Sequence, residues 1–185
     1  ISSGAGIFPD ELVAQFSLLR DKVPAESFEV VREVVESDLG RPLEDVFATF
    51  DRKPLAAASI AQVHGARLHS GDDVVVKILR PNVRELVRRD LEVMYALARL
   101  AERWWPESRR LRPVDIVAEY EKTILNELDL VREAANAAQL RRNWLGSPLI
   151  YVPQVYFDYC RQSVMVMERI HGIPIDDMEA LQAAG

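Results

Sequence analysis

Ser70-Gly71-Asp72-Asp73-Val74-Val75-Val76-Lys77-Ile78-Leu79 is the stretch from which the fold can be read. Its first four residues are a cluster of turn formers. Three consecutive β-branched valines follow, and their stiff side chains suit a pleated strand better than a helix. A strand is therefore expected over 74–79, with an antiparallel partner in the run before the turn, Ile60 to His69. Lys77 sits on this buried-looking strand, and lysine is seldom buried without a partner. One explanation is a strand-borne ammonium that reaches a phosphate as a compact point charge. The other is a lysine that snorkels to water, and burial habits alone favour it.

Working outward, Phe47 to Ala58, interrupted by Pro54, reads as the first of three antiparallel strands. Before it, apolar residues at helical spacing (Leu12, Val13, Phe16, Leu19) predict a helix from Pro9 to about Lys22. A second helix is expected from Ala25 to Asp38, stopped by Gly40, with a short one after Pro42. Downstream, Pro81 to Trp105 reads as one long helix and Pro113 to Trp144 as another. The second carries an apolar stripe of Ile116, Tyr120, Ile124, Leu128, Val131 and Ala135. Past Gly146-Ser147-Pro148, two more strands are expected, Val155 to Tyr159 and Ser163 to Glu168. A turn at Gly172-Ile173-Pro174 then leads into a last helix. Helices, three strands, two helices and two strands make an α+β layout.

Composition narrows the function classes. The chain has 185 residues, 49% hydrophobic and 28% charged, ample material for one core. Its 23 basic and 29 acidic residues leave a net charge of −6, with no basic tract to hold a nucleic acid. A single cysteine, Cys160, excludes an internal disulfide framework, and three scattered histidines argue against zinc. No apolar run approaches the ~20 residues a membrane helix needs. The chain opens on Ile1 and stops inside the expected last helix, so both ends read as cut.

Besides Lys77, two stretches could carry chemistry. Ala56-Ala57-Ala58-Ser59, between the first two strands, is small enough for a backbone to pass close over a ligand; taken alone it reads as tight packing. Glu127-Leu128-Asp129-Leu130-Val131-Arg132-Glu133-Ala134-Ala135-Asn136 is acidic on one side. On one straight helix Asp129 and Glu133 share a face with Asn136 close by, while Glu127 points away. Something other than that face would have to bring Glu127 and Asp129 together. A carboxylate here could neutralise Lys77 or hold Mg²⁺ through oxygen, and a solvated face is the plainer alternative. Trp104-Trp105 reads as helix-end packing. His64, His69, His171 and Cys160 are given no chemistry.

Taken together, Ala56-Ala57-Ala58-Ser59-Ile60-Ala61-Gln62-Val63-His64, Val74-Val75-Val76-Lys77, Arg80-Pro81, Glu127-Leu128-Asp129, Glu133-Ala134-Ala135-Asn136 and Val166-Met167-Glu168 form a recognisable series. In order and spacing it resembles the UbiB/ADCK family of atypical protein-kinase-like proteins. The resemblance covers nearly the whole chain. It implies a kinase-like N-lobe, with an antiparallel five-stranded sheet, family-specific helical insertions and no C-lobe. It also implies a division into an N-terminal helical extension (1–46), the lobe itself (47–168, with inserted helices over 81–145) and a hinge leading to a truncated C-lobe (169–185).

By the same resemblance, Lys77 corresponds to the kinase lysine on the α- and β-phosphates, and Glu133 to its helix-borne partner. Ala56, Ala57, Ala58 and Ser59 correspond to the Ala-rich loop that replaces a Gly-rich one. Glu127 and Asp129 correspond to an acidic motif near nucleotide and metal. Met167 corresponds to the gatekeeper, and Glu168 to Ile170 to the hinge that meets adenine. ATP or ADP and Mg²⁺ are the implied cofactors. The implied role is an ATPase or phosphotransferase supporting isoprenoid-quinone biosynthesis or lipid homeostasis, with membrane lipid or quinone-biosynthesis proteins as partners. Its implied place is the cytoplasm or the inner-membrane surface in a bacterium, or an organelle in a eukaryote. The family's Lys-x-Gly-Gln segment and the C-lobe's catalytic aspartate and Asp-Phe-Gly are missing, so this piece alone is expected to be inactive. A catalytically dead nucleotide-binding scaffold and a helical interaction domain without nucleotide stand as alternatives.

Overall fold

A computed structural model describes residues 24–171. The expected helix over 9–22 and the turn and helix after Gly172 lie outside these residues. Within them, Ser27 opens helix α1 (Phe28–Leu39) by accepting a hydrogen bond from the Val30 amide. Gly40 closes it in a left-handed conformation, φ 72°, which glycine adopts without steric cost. A one-turn helix, α2 (Leu43–Val46), follows Pro42 as expected. Glu36 fastens the two by accepting from the Leu43 amide at 2.7 Å.

The strands are β1 (Phe47–Phe50), β2 (Ala56–Ala57), β3 (Ala61–Leu68), β4 (Asp73–Leu79) and β5 (Val164–Glu168). They form one antiparallel sheet in the order β1-β3-β4-β5, with β2 also paired to β3. The number five matches the expectation, but the membership differs. The first expected strand is split in two around Pro54, which has no amide to give a ladder. The run Val155–Tyr159 is not a strand. Only Val155 bridges to Met167, and Phe157–Tyr159 turn into a 3₁₀ segment.

Both faces of the sheet are covered, which explains why β4 reads as an unbroken apolar run rather than an alternating one. Val74, Val76 and Ile78 point back onto α1 and α2, among Val31, Val35, Leu43 and Val46. Val75 and Leu79 point to the front, among Leu128, Leu130, Ala134 and Ala137. Lys77 shares the front parity.

Between β4 and β5 the chain makes a helical excursion. Helix α3 (Val83–Trp104) and helix α4 (Pro113–Glu127) pair through a small core of their own, built on Leu91, Ala98, Val117 and Ile124. Trp104 and Trp105 are 66% and 68% exposed, so the expected helix-end packing is not what they do. Four arginines of α3 have partners within the helix. Arg88 and Arg89 face Glu85, and the Arg99 and Arg103 guanidinium groups lie over the rings of Tyr95 and Trp104.

The helix expected over Pro113–Trp144 is two helices. The second, α5, spans Leu130–Asn143. On a straight helix, residues 128 and 130 would point about 200° apart. Leu128 and Leu130 are nevertheless both buried in the front core, 2% and 0% exposed, and only a break lets both get there. After the break the buried series changes from the expected Val131 and Ala135, both exposed, to Leu130, Ala134 and Ala137.

Candidate functional site

The break between α4 and α5 organises the front of the sheet. Asp129 adopts an extended backbone (φ −124°, ψ 97°), and its Oδ1 accepts from the Val131 amide, so it is the N-cap of α5. The freed backbone groups are taken up by neighbours. The Leu128 carbonyl accepts from Arg84 Nη2 at 2.6 Å, and the Leu130 amide donates to the Gln162 carbonyl at 3.0 Å. Ala134 and Ala137, being small, let α5 lie close against β5.

That closeness delivers Glu133 to Lys77. Lys77 lies in β4 opposite Val63 of β3 and Met165 of β5. Its Nζ donates to both Glu133 oxygens, at 3.1 and 3.2 Å, across 56 positions of sequence. The two side chains are 21% and 27% exposed, a half-buried pair on the front of the sheet. The snorkelling alternative for Lys77 is thereby replaced by a specific ion pair.

Ala56 and Ala57 pair with Val63 and Gln62 as β2, and the Ala58 amide closes a tight turn onto the Ala61 carbonyl at 2.8 Å. Ser59 and Ile60 form the tip of this turn, with Ala58 in its closing bond. Glu127, at the end of α4, is exposed, and Asp129 is partly exposed with one oxygen engaged in its cap. Among the described residues no three carboxylate, histidine or cysteine groups gather into a metal cage. Such a donor set fits Mg²⁺ only in its common nucleotide-bound mode, with one or two carboxylates completed by phosphate and water. The one-face grouping of Asp129, Glu133 and Asn136 does not hold, because Asp129 stands outside the helix that carries the other two.

At the far end of β5, Met167 is buried opposite Val75. Glu168 is immobilised: its carboxylate accepts from the Tyr151 hydroxyl and the Gln154 amide, and its own amide donates to the Gln154 carbonyl. The Arg169 amide donates to the Asp73 carbonyl at 3.0 Å. Asp73 also receives Arg67 and His171, which together hold its carboxyl below the usual range. Of the amides of Glu168, Arg169 and Ile170, only that of Ile170 is left unengaged by the described residues.

The motif Gln62-Val63-His64 divides between the two faces. Val63 points to the front with Lys77's neighbours, while Gln62 and His64 point back, 2% and 0% exposed. His64 Nδ1 lies 2.8 Å from the Asp51 carbonyl, so it carries the proton and donates. His64 Nε2 accepts from Gln62 Nε2 at 2.9 Å, and Gln62 Oε1 accepts from the Glu26 amide at 2.8 Å. Burial pushes the His64 pKa down, which keeps it neutral and structural. Burial raises the Cys160 thiol in the same way, away from reactive thiolate. The sequence reading missed this back-face chain, and it missed Arg84. Its signal was available: two polar residues at strand parity inside an apolar run have to find each other.

Comparison with known proteins identifies the family and the fold. The model of the ABC1 atypical kinase-like domain matches residues 18–185. A protein of Pseudomonas paraeruginosa named "Probable protein kinase UbiB" is 55% identical over 182 residues, covering 98% of this chain and 34% of that protein. A protein of the same name from Marinobacter nauticus is 51% identical over 185 residues, again 34% of its length. The chain thus spans about a third of the curated relatives it matches. Among solved structures, the Rv3197–erythromycin complex from Mycobacterium tuberculosis superposes with a TM-score of 0.69 at 29% identity, covering 95% of this chain and 44% of the other. The chain belongs to the ABC1 atypical kinase-like family, and its fold is the N-lobe of that kinase-like architecture.

Proposed function

We propose that this member of the ABC1 family is the nucleotide-binding lobe of an atypical kinase or ATPase that uses MgATP. The observation that supports this most is the Lys77–Glu133 pair, bidentate at 3.1 and 3.2 Å. A half-buried lysine fixed by a carboxylate on the front of the sheet is arranged to meet phosphate oxygens without reorganising when they arrive. In this reading Lys77 neutralises the α- and β-phosphates while Glu133 sets its position. The Ala58–Ser59 turn covers the phosphates with backbone. The Ile170 amide donates to the adenine edge beside buried Met167, with Glu168 braced behind it. Glu127 and Asp129 would hold Mg²⁺, which supplies further neutralisation of phosphate charge. Phosphoryl transfer or hydrolysis would need groups from a second lobe.

The wider role that fits is support of isoprenoid-quinone biosynthesis or lipid homeostasis, with a phosphate-bearing nucleotide as the direct ligand and quinone-biosynthesis proteins or membrane lipid as partners. Among the described residues no helix is long and apolar enough to cross a membrane. The test is calorimetric titration of the full-length protein with MgADP. Lys77→Ala is expected to weaken binding tenfold or more while leaving the melting temperature within a few degrees. Equal affinity in mutant and wild type would overturn the reading.

A further inference from the structure

The back face of the sheet carries a feature that the nucleotide reading leaves unused. Arg80, three residues past Lys77, is held with its side chain only 10% exposed. Its amide donates to the Ile60 carbonyl at 2.9 Å, and its Nε donates to the Ala58 carbonyl at 2.9 Å. Nη1 reaches Glu26 Oε1 at 3.2 Å, in the segment leading into α1. The same Glu26 is bound through its amide to Gln62 and so to His64 and the Asp51 carbonyl. Nη2 is buried with no partner among the described residues. A buried donor left unpaired costs stability, so the value of this arrangement lies in where it holds things.

We propose that Arg80 is the positioning residue of the Ala-rich loop. It clasps the loop from behind to the strand that bears Lys77, and it ties both to the N-terminal segment through Glu26. The physical reason lies in the loop itself. Ala58 is exposed and Ser59 only partly buried, and neither side chain is long enough to anchor the turn. The turn has one cross-bond of its own, from the Ala58 amide to the Ala61 carbonyl. Two further bonds come from one residue, one of them charge-assisted. With the clasp in place, the loop backbone and the Lys77 ammonium keep a fixed separation, as phosphate recognition requires. The guanidinium does this from the back of the sheet, opposite the face that carries Lys77, so it acts on the nucleotide only through the loop. Lysine cannot substitute, since a single ammonium lacks the fork that reaches Ala58 and Glu26 together.

This inference rests on the nucleotide reading, and its test separates the two. Hydrogen exchange is measured on the full-length protein without nucleotide, comparing wild type, Arg80→Ala, Arg80→Lys and Glu26→Ala. Both Arg80 variants are expected to exchange the amide of Ala58 about tenfold faster or more, Glu26→Ala less so, with β4 and β5 unchanged. In MgADP titration, Arg80→Ala and Arg80→Lys are expected to lose about tenfold in affinity. Unchanged loop exchange in Arg80→Ala overturns the clasp. So does unchanged MgADP affinity where Lys77→Ala lowers it. Faster exchange across β4 and β5 as well assigns Arg80 to general stability and also overturns it. If wild type itself binds no MgADP, the nucleotide reading fails, while the exchange arm still decides whether Arg80 holds the loop.

Discussion

Asp129 caps α5 with its side chain on the Val131 amide, and that cap sets where Glu133 stands relative to Lys77. The residue is therefore both a structural hinge point and a candidate metal ligand, and two substitutions pull these roles apart. Asp129→Ala removes the cap and is expected to cost about 1 kcal/mol of stability. Asp129→Asn keeps a capping oxygen and loses the charge. It is expected to melt near wild type while weakening MgADP binding several-fold, with no difference from wild type when ADP is titrated in EDTA. A metal-independent loss in Asp129→Asn would remove the residue from the metal site.

Glu133→Ala leaves Lys77 without the carboxylate that holds it. The pair is about a quarter exposed, so its loss is expected to cost only about 1 kcal/mol in thermal or chemical unfolding. MgADP affinity should fall further than stability does, because an ammonium free to wander pays its ordering cost on binding. Glu133→Gln, which keeps one acceptor, should fall between Glu133→Ala and wild type. A Glu133→Ala protein that binds MgADP as wild type does would make the pair purely structural.

Ala134 is fully buried where α5 meets the sheet. Ala134→Leu adds volume with nowhere to go and is expected to cost 1–3 kcal/mol, roughly, by overpacking. Because Glu133 rides on the same turn, pushing α5 outward should also reduce nucleotide affinity. The same substitution at exposed Ala135 should do neither. Equal effects at both positions would show that the helix does not transmit packing to the site.

His64 makes stability depend on pH. Its folded pKa is lowered by burial, so the folded protein refuses a proton that the unfolded chain accepts below about pH 6.5. The unfolded state then binds more protons, and stability falls as the medium is acidified, by up to about 1.4 kcal/mol per pH unit below that point. Above pH 7 this contribution is flat. His64→Gln keeps hydrogen-bonding capacity without the titration and should lose this step in a melting-temperature profile between pH 7 and 5. An unchanged profile would assign the acid sensitivity to other groups.

Much of the fold was legible because the local code and the tertiary environment agree. Gly40 stops α1 as expected, although the helix starts at Phe28 rather than Ala25; the Ser70–Asp73 turn joins β3 to β4, and the valine run of β4 serves a sheet covered on both faces. Lys77 stood out from its strand alone, but its pairing with Glu133 in particular was legible only through likeness to a family. No spacing rule pairs residues 56 positions apart.

What the sequence by itself determined is the elements whose signals are local, among them α1, the β3–β4 hairpin, α3 and β5, since turn chemistry, β-branching and helical spacing act over a few residues. The break at Leu128-Asp129 belongs to the tertiary structure. No glycine or proline marks it, the apolar stripe runs straight through it, and it forms because the front core can bury both Leu128 and Leu130 only if the helix stops between them. The same holds for the back-face chain from Arg80 through Glu26 and Gln62 to His64. Its members come from three separate segments, and a buried polar group takes its partner from whichever backbone the fold brings within about 3 Å.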